Sequence, residues 1–343
     1  MLARDDVSTK KRSAATISDV AEAAHVARST VSRVFSRPSR FRPETVARVQ
    51  LAAASLGYAP NPVAKALSTG TTAAIGLVVP DIGNPFFPPI IRTAGLRAAQ
   101  SEVAILIADT EETASREASA LERLATRTDG IILVSSRQAN AAVLQFTHRV
   151  PLVLINRDIP GIPRVLISTS AGMTQAVEHL GALGHTHIVY LAGPRRSWSN
   201  HERFAAVSAA CERLHLTLTT LKAANPTYED GARAAAAVVD SGATALIAFD
   251  DLMAQGAMAG LADRGIQVPR DMSVIGCDNL VAARTYPPLT SIESGAAEAG
   301  ALAVDLFLRR ADHDTRIVTE SGLVVRSTTG TPRRATHLAL ATP

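Results

Sequence analysis

The sequence predicts an α/β protein, with an N-terminal all-α helix-turn-helix unit followed by a core of two doubly wound parallel-sheet subdomains. Three observations carry this prediction. Residues 16–36, "TISDVAEAAHVARSTVSRVFS", hold two short helical rhythms around one abrupt break. From residue 73 onward, short uninterrupted apolar runs alternate with Ala-rich amphipathic segments. Net positive charge is confined to the first fifth of the chain: residues 1–70 carry 11 Lys/Arg against 5 Asp/Glu, while residues 71–343 carry 24 against 26.

Residues 1–13, "MLARDDVSTKKRS", read as a disordered basic arm. Thr16 is followed three residues later by Asp19, a capping-box start, and Ile17, Val20, Ala21 and Ala24 then recur at helical spacing. A second rhythm, Val31, Val34 and Phe35, follows the turn "HVA". A turn so short folds the helices against each other and buries Val20, Ala24, Val26, Val31 and Val34. Arg28, Ser29, Ser32, Arg33 and Ser36 are left on the wet face of the second helix. Guanidinium forks and small hydroxyls on one exposed helix face suit a DNA major groove, because arginine forks onto guanine and hydroxyls reach bases or phosphate oxygens. A third helix opens at Pro43, carries Val46, Val49 and Ala53 on one side and stops at Gly57, giving a helix-turn-helix domain over 14–60. The stretch 61–72, within "APNPVAKALSTGTT", has linker composition with a helical option.

The core is expected over 73–331, with a tail at 332–343. Strands are predicted at 73–80, 103–108, 129–134, 151–155, 187–192, 243–249 and 273–278, with later ones to follow. Continuous apolar strands separated by helices form parallel sheets covered on both faces, and this many suit two subdomains. The first is expected to comprise about 73–168 and 294–318, the second about 169–293 and 319–331. Ligands of such sheets sit beyond the carboxyl ends of the strands. There the sequence places "PDIGNPFF", "NRD", "GPRRSWSNHER", "DDLMAQG" and "DN".

Several function classes lack their signatures. The two cysteines, Cys211 and Cys277, have no metal-type spacing and form no disulfide framework, so no metal, no cofactor and a reducing, cytoplasmic compartment are expected. No signal-peptide segment and no membrane-length apolar run occurs, so no membrane partner is expected. GxxxxGK[ST], GxSxG and HExxH are all missing, which argues against an enzyme. His185 and His187, in "GHTHIVY", precede or open a strand and read as structural.

A chain of motifs, in order, resembles the lactose and galactose repressor family: "DVAEAA...STVSRV", "LGYAPNPVAKALSTG", "IGLVVPDIGNPFF", "DGIIL", "HLGALGHTHIVYLAGP", "FDDLMAQGA", "SVIGCDN" and "PPLTSIESG". Single motifs are weak, but their order and spacing are specific. The resemblance implies a DNA-binding headpiece, a hinge helix and a periplasmic-binding-protein-like core. It further implies a homodimeric transcription regulator, a repressor that binds a palindromic double-stranded DNA operator and answers to a sugar, polyol or nucleoside effector. It places Arg28, Ser29 and Arg33 as base readers, and Thr30, Ser32, Ser36, Tyr58 and Asn61 as backbone contacts, with Thr16 and Ile17 at the first helix start. Ala64 and Leu67 would face the minor groove, paired leucines wedging open a base step. Two departures fall at the turn and the second cap, where the family's usual Gly and Ser are His25 and Ala27. For the effector the resemblance points to Asn84, Phe86, Phe87, Asn156, Arg157, Arg203, Tyr228, Asp250 and Asp278. One of Phe86 and Phe87 is expected to be core, and one of Asp250 and Asp251 to face the ligand. Phenylalanine stacks on sugar ring faces, while carboxylates and guanidinium groups bind hydroxyl edges.

Overall fold

The computed structural model describes residues 15–59 and 70–333. The arm expected at 1–13, the hinge positions Asn61, Ala64 and Leu67, and the tail from residue 334 lie outside them. The chain divides at Thr72/Ala73 into two compact units.

In the first unit, α1 (Ile17–Ala23), α2 (Arg28–Ser36) and α3 (Pro43–Leu56) follow one another closely, with one 3-10 turn, Pro38–Arg40, between the last two. They enclose a small core of Val20, Ala21, Ala24, Val31, Val34, Val49, Ala52 and Ala53, and Phe35, Phe41 and Tyr58 close its edge. Residues this small let the helix backbones approach, which is why the turn between α1 and α2 can be so short. α1 starts on the capping box: Thr16 N donates to Asp19 Oδ2 at 2.7 Å and Asp19 N to Thr16 Oγ1 at 3.4 Å. α3 begins at Pro43 and ends on Gly57 in the left-handed conformation, φ 64°.

The second unit holds two six-stranded sheets. β1 (Ala74–Val79), β2 (Ala104–Asp109), β3 (Gly130–Val134), β4 (Leu152–Ile155), β5 (Arg164–Ile167) and β11 (Arg316–Thr319) form the first, ordered β11-β5-β4-β3-β1-β2 and wholly parallel. β6 (His187–Ala192), β7 (Thr217–Lys222), β8 (Ala245–Ala248), β9 (Ser273–Asp278), β10 (Thr290–Glu293) and β12 (Gly322–Val324) form the second, ordered β12-β10-β9-β8-β6-β7. Three strands correct the sequence reading: β5 and β7 were not anticipated, and β12 runs antiparallel to β10 in a sheet expected to be parallel throughout. β5 is only four residues long, and β7, "TLTTLK", is a half-exposed edge strand without the continuous apolar run of a buried one.

Helices cover both faces of each sheet. They are α4 (Phe87–Ala99), α5 (Ala114–Ala125), α6 (Asn140–Phe146), α7 (Ser170–Ala182), α8 (Trp198–Arg213), α9 (Tyr228–Asp240), α10 (Asp251–Ala262) and α11 (Ala296–Leu308). α9 and α10 cross so closely that a Cβ on Gly256 would lie 1.9 Å from the Tyr228 carbonyl oxygen. The chain passes between the sheets three times, after β5, after β10 and after β11. Each order reverses beside its first strand, at β1/β3 and β6/β8, and a cleft between the carboxyl ends of two such sheets is where a ligand is held. Among the described residues no helix is long and apolar enough to cross a membrane.

Candidate functional site

Two groups of side chains stand out, one in each unit. In the first unit, the face of α2 that carries Arg28, Ser29, Ser32, Arg33 and Ser36 is exposed, opposite the buried Val31 and Val34. Thr30 is half-buried, and Tyr58 packs its ring against Phe35 at 6.0 Å. The Ser36 hydroxyl donates back to the Ser32 carbonyl at 3.0 Å. Among the described residues neither Arg28 nor Arg33 on this face, nor Arg37, Arg40, Arg42 or Arg48 after it, forms an ion pair. The two departures noted in the turn have local costs. His25 takes φ 51°, a conformation that suits glycine, and Ala27 caps α2 with no side-chain hydrogen bond.

In the core, a cavity of about 30 Å³ lies between the two sheets. Asn84, Phe86 and Phe87 enter it after β1, Glu112 after β2, Ser135 and Arg137 after β3, and Asn156 after β4. From the other sheet come Ser197, Ser199 and Arg203 after β6, Phe249 and Asp250 after β8, and Asp278 at the end of β9, with Pro226 ahead of α9. Phe86 and Phe87 meet edge to face at 5.1 Å; both are buried, and both border the cavity, so neither is core alone. Asp250 caps α10, accepting from Met253 N at 2.8 Å, and its other oxygen accepts from Asn84 Nδ2 at 3.1 Å, a bond from one subdomain to the other. Asp251 turns away to accept from Ser291 Oγ at 2.6 Å and Leu280 N at 3.2 Å.

Arg203 is 2 % exposed and surrounded by acceptors: its Nε donates to Thr169 Oγ1 at 3.1 Å, its Nη2 to Asp278 Oδ1 at 2.8 Å, and its Nη1 to the Phe249 carbonyl. The guanidinium also lies over the Phe249 ring, 4.7 Å from its centre. Burial raises the Asp250 carboxyl to about 7, with the Asp278 charge adding to the shift. It pushes Asp278 up as well, against the pull of Arg203. Asn156, at φ 54°, commits its Oδ1 to Ile167 N at 2.9 Å.

Two expected effector residues stand off the cavity. Arg157 donates to carbonyls instead, Gln138 O at 2.8 Å and Arg196 O at 3.0 Å, and to Asn140 Oδ1 at 2.7 Å, tying the β3 and β4 loops to the loop after β6. Tyr228 opens α9 on the outer side, 40 % exposed, where it borders a separate groove with Tyr286 and Met258. Seven cavity residues were missed, and two of them, Glu112 and Arg137, are charged. Arg137 donates from Nε and Nη2 to Glu112 at 2.5 and 2.9 Å, and from Nη1 to Ser135 O at 2.6 Å. Behind them the buried Glu117, its carboxyl pushed up by burial, accepts from Arg137 N at 2.8 Å and from the Ser136 hydroxyl. His185 is structural, its ring held between Thr244 Oγ1, Ser273 Oγ and Gly330 O at 2.8–3.0 Å.

An exposed basic recognition helix and a two-lobed cleft define a DNA-binding regulator with a ligand-binding core. Residues 16–61 match the bacterial regulatory proteins of the lacI family, and residues 177–329 match a periplasmic binding protein-like domain. The chain is 32% identical over 308 residues to the HTH-type transcriptional repressor CytR of Escherichia coli (strain K12), covering 87% of this chain and 90% of that protein. It superposes with a TM-score of 0.84 on the lac repressor dimer bound to operator and the anti-inducer ONPF, at 28% identity, covering 93% of this chain and 100% of the other. The transcriptional regulator CelR in complex with cellobiose matches with a TM-score of 0.68 at 27% identity, over 92% of this chain and 99% of that one. The chain belongs to the lacI family of bacterial regulatory proteins: it is a DNA-binding regulator of transcription, not an enzyme.

Proposed function

We propose that this protein is a cytoplasmic repressor that binds a two-fold symmetric operator as a homodimer and is switched by a sugar, polyol or nucleoside held in the core cleft. Arg28, Ser29 and Arg33 read bases, while Thr30, Ser32, Ser36, Tyr58 and Asn61 grip the backbone, with Thr16 and Ile17 at the start of α1. Ala64 and Leu67 enter the minor groove. Asn84, Phe86, Phe87, Asn156, Arg203, Asp250 and Asp278 hold the effector.

The observation that carries this reading is the convergence of aromatic rings and paired polar groups from both sheets on one cavity at the switch points. At about 30 Å³ the cavity has room for only a few waters, since each needs about 10–15 Å³. A sugar-sized ligand therefore requires the lobes to part, which breaks the Asn84–Asp250 bond. A ligand that fixes one lobe arrangement has the differential affinity that a switch needs. The test is a thermal-melting screen of free sugars, polyols and nucleosides, followed by operator titration with each hit. A ligand at 100 times its Kd adds about 2.7 kcal/mol of stability. A hit that stabilises the wild type but not Arg203→Ala, and that changes operator affinity, is the expected outcome. Stabilising ligands that leave operator affinity untouched would contradict the proposal.

A further inference from the structure

The charges around the cavity specify more than a generic sugar site. Among the described residues two guanidinium groups border it, Arg137 and Arg203, against three carboxyl groups, Glu112, Asp250 and Asp278. Glu112 takes Arg137 with both oxygens, and Asp278 takes Arg203. Every nitrogen of both guanidinium groups already donates to a protein oxygen. Asp250 is the surplus carboxyl, with only neutral donors, Asn84 Nδ2 and Met253 N, against it. The next guanidinium outward, Arg157, has both terminal nitrogens engaged by carbonyls and Asn140.

We infer that the cleft takes an effector without phosphate or carboxylate, a neutral or amino-bearing polyol, free sugar or nucleoside, because each bordering guanidinium is paired with a carboxylate and the one carboxyl group left over adds no positive charge. This rests on the reading of the cleft as the effector site and narrows it. An anion entering here loses its hydration and meets no net positive charge. To capture a guanidinium it has to displace Glu112 or Asp278 and strand that carboxylate in a buried site. Hydroxyl or amino donors find the opposite: each Asp250 oxygen accepts one bond, from Met253 N or Asn84 Nδ2, and keeps a second lone pair, and Phe86 beside it offers an apolar surface to a ring face.

Trp198, the sole tryptophan, opens α8 between the cavity residues Ser197 and Ser199 and reports on the cleft independently of the headpiece. The experiment titrates full-length protein with ribose, glucose and adenosine and, in parallel, with ribose 5-phosphate, glucose 6-phosphate and adenosine 5′-monophosphate, reading Trp198 emission and melting temperature. Each phosphate should bind at least about tenfold more weakly than its parent. Millimolar inorganic phosphate is a separate arm that needs no effector. The wild type should not respond to it, whereas Glu112→Gln, which frees the Arg137 charge, should. A phosphate response in the wild type, none in a folded Glu112→Gln, or any phosphate ester bound more tightly than its parent overturns the inference. If every organic probe is silent while the inorganic-phosphate contrast holds, the sugar and nucleoside reading fails and the non-anionic assignment stands.

Discussion

The arginines of the two units are arranged in opposite ways. In the headpiece Arg28 and Arg33 project from α2 into solvent with no ion-pair partner among the described residues. In the core Arg137 and Arg203 are buried and each is locked to a carboxylate. The difference matches what each is proposed to bind. A polyanion is captured by guanidinium groups whose charge is available and whose counterions are released. A neutral ligand is oriented by donors and acceptors that the protein has already fixed in place. Removing an arginine should therefore be a stability event in one unit and a recognition event in the other.

The largest expected effect is Arg203→Ala, which strands Asp278 in a buried site and should destabilise the core by about 3–5 kcal/mol in urea unfolding. Arg28→Ala should move stability by no more than about 0.5 kcal/mol. Equal losses in both would break the contrast. Next comes Asp250→Asn. The Asp250 carboxyl, raised to about 7 by burial and then by Asp278, holds a proton in the folded state that the unfolded chain releases near 3.8. The stability it permits is thus complete below about pH 4 and falls as pH rises through about 7. Asparagine keeps an oxygen for Met253 N but sets its amide nitrogen against Asn84 Nδ2, a constant cost, while it removes the titration; melting curves should therefore show its stability relative to the wild type rising by up to about 4 kcal/mol between pH 4 and pH 8. A gain independent of pH would point to packing instead.

Recognition effects come third. Arg28→Ala or Arg33→Ala should relax base preference at symmetric operator positions by about 1–3 kcal/mol, read in a binding-selection assay. Unchanged preference in both variants would remove α2 from the reading face. The smallest effect concerns the bare cap of α2: Ala27→Ser should stabilise the headpiece by about 0.5–2 kcal/mol, seen as a raised melting temperature, while leaving the core transition unmoved.

The same contrast separates what was legible in the sequence from what was not. The headpiece is local: the Thr16–Asp19 box, the valine rhythm and the exposed Arg28 and Arg33 all lie within one short stretch whose period reveals their faces. The buried strands were legible for a similar reason, their apolar runs being continuous, whereas the half-exposed edge strand β7 carries no such run. The cleft is assembled from distant loops. Asn84 meets Asp250 across 166 residues, and Arg203 meets Asp278 across 75. Glu112 and Arg137 were missed because only the order of β2, β1 and β3 brings their loops together, although both follow the carboxyl end of a strand, the one signal that marks them. Arg157 and Tyr228 sit in loops of the right rank, but carbonyl acceptors turn the first away and the first turn of α9 carries the second outward.

The most direct measurement is the affinity of one neutral effector, taken from the screen, with and without saturating operator DNA. Coupling between the two sites is reciprocal, so the factor by which operator shifts effector affinity must equal the factor by which effector shifts operator affinity, typically about 5–150-fold. In the wild type operator is expected to shift effector affinity by a factor in that range. An effector that binds the core with the same affinity in the presence and absence of operator would contradict it.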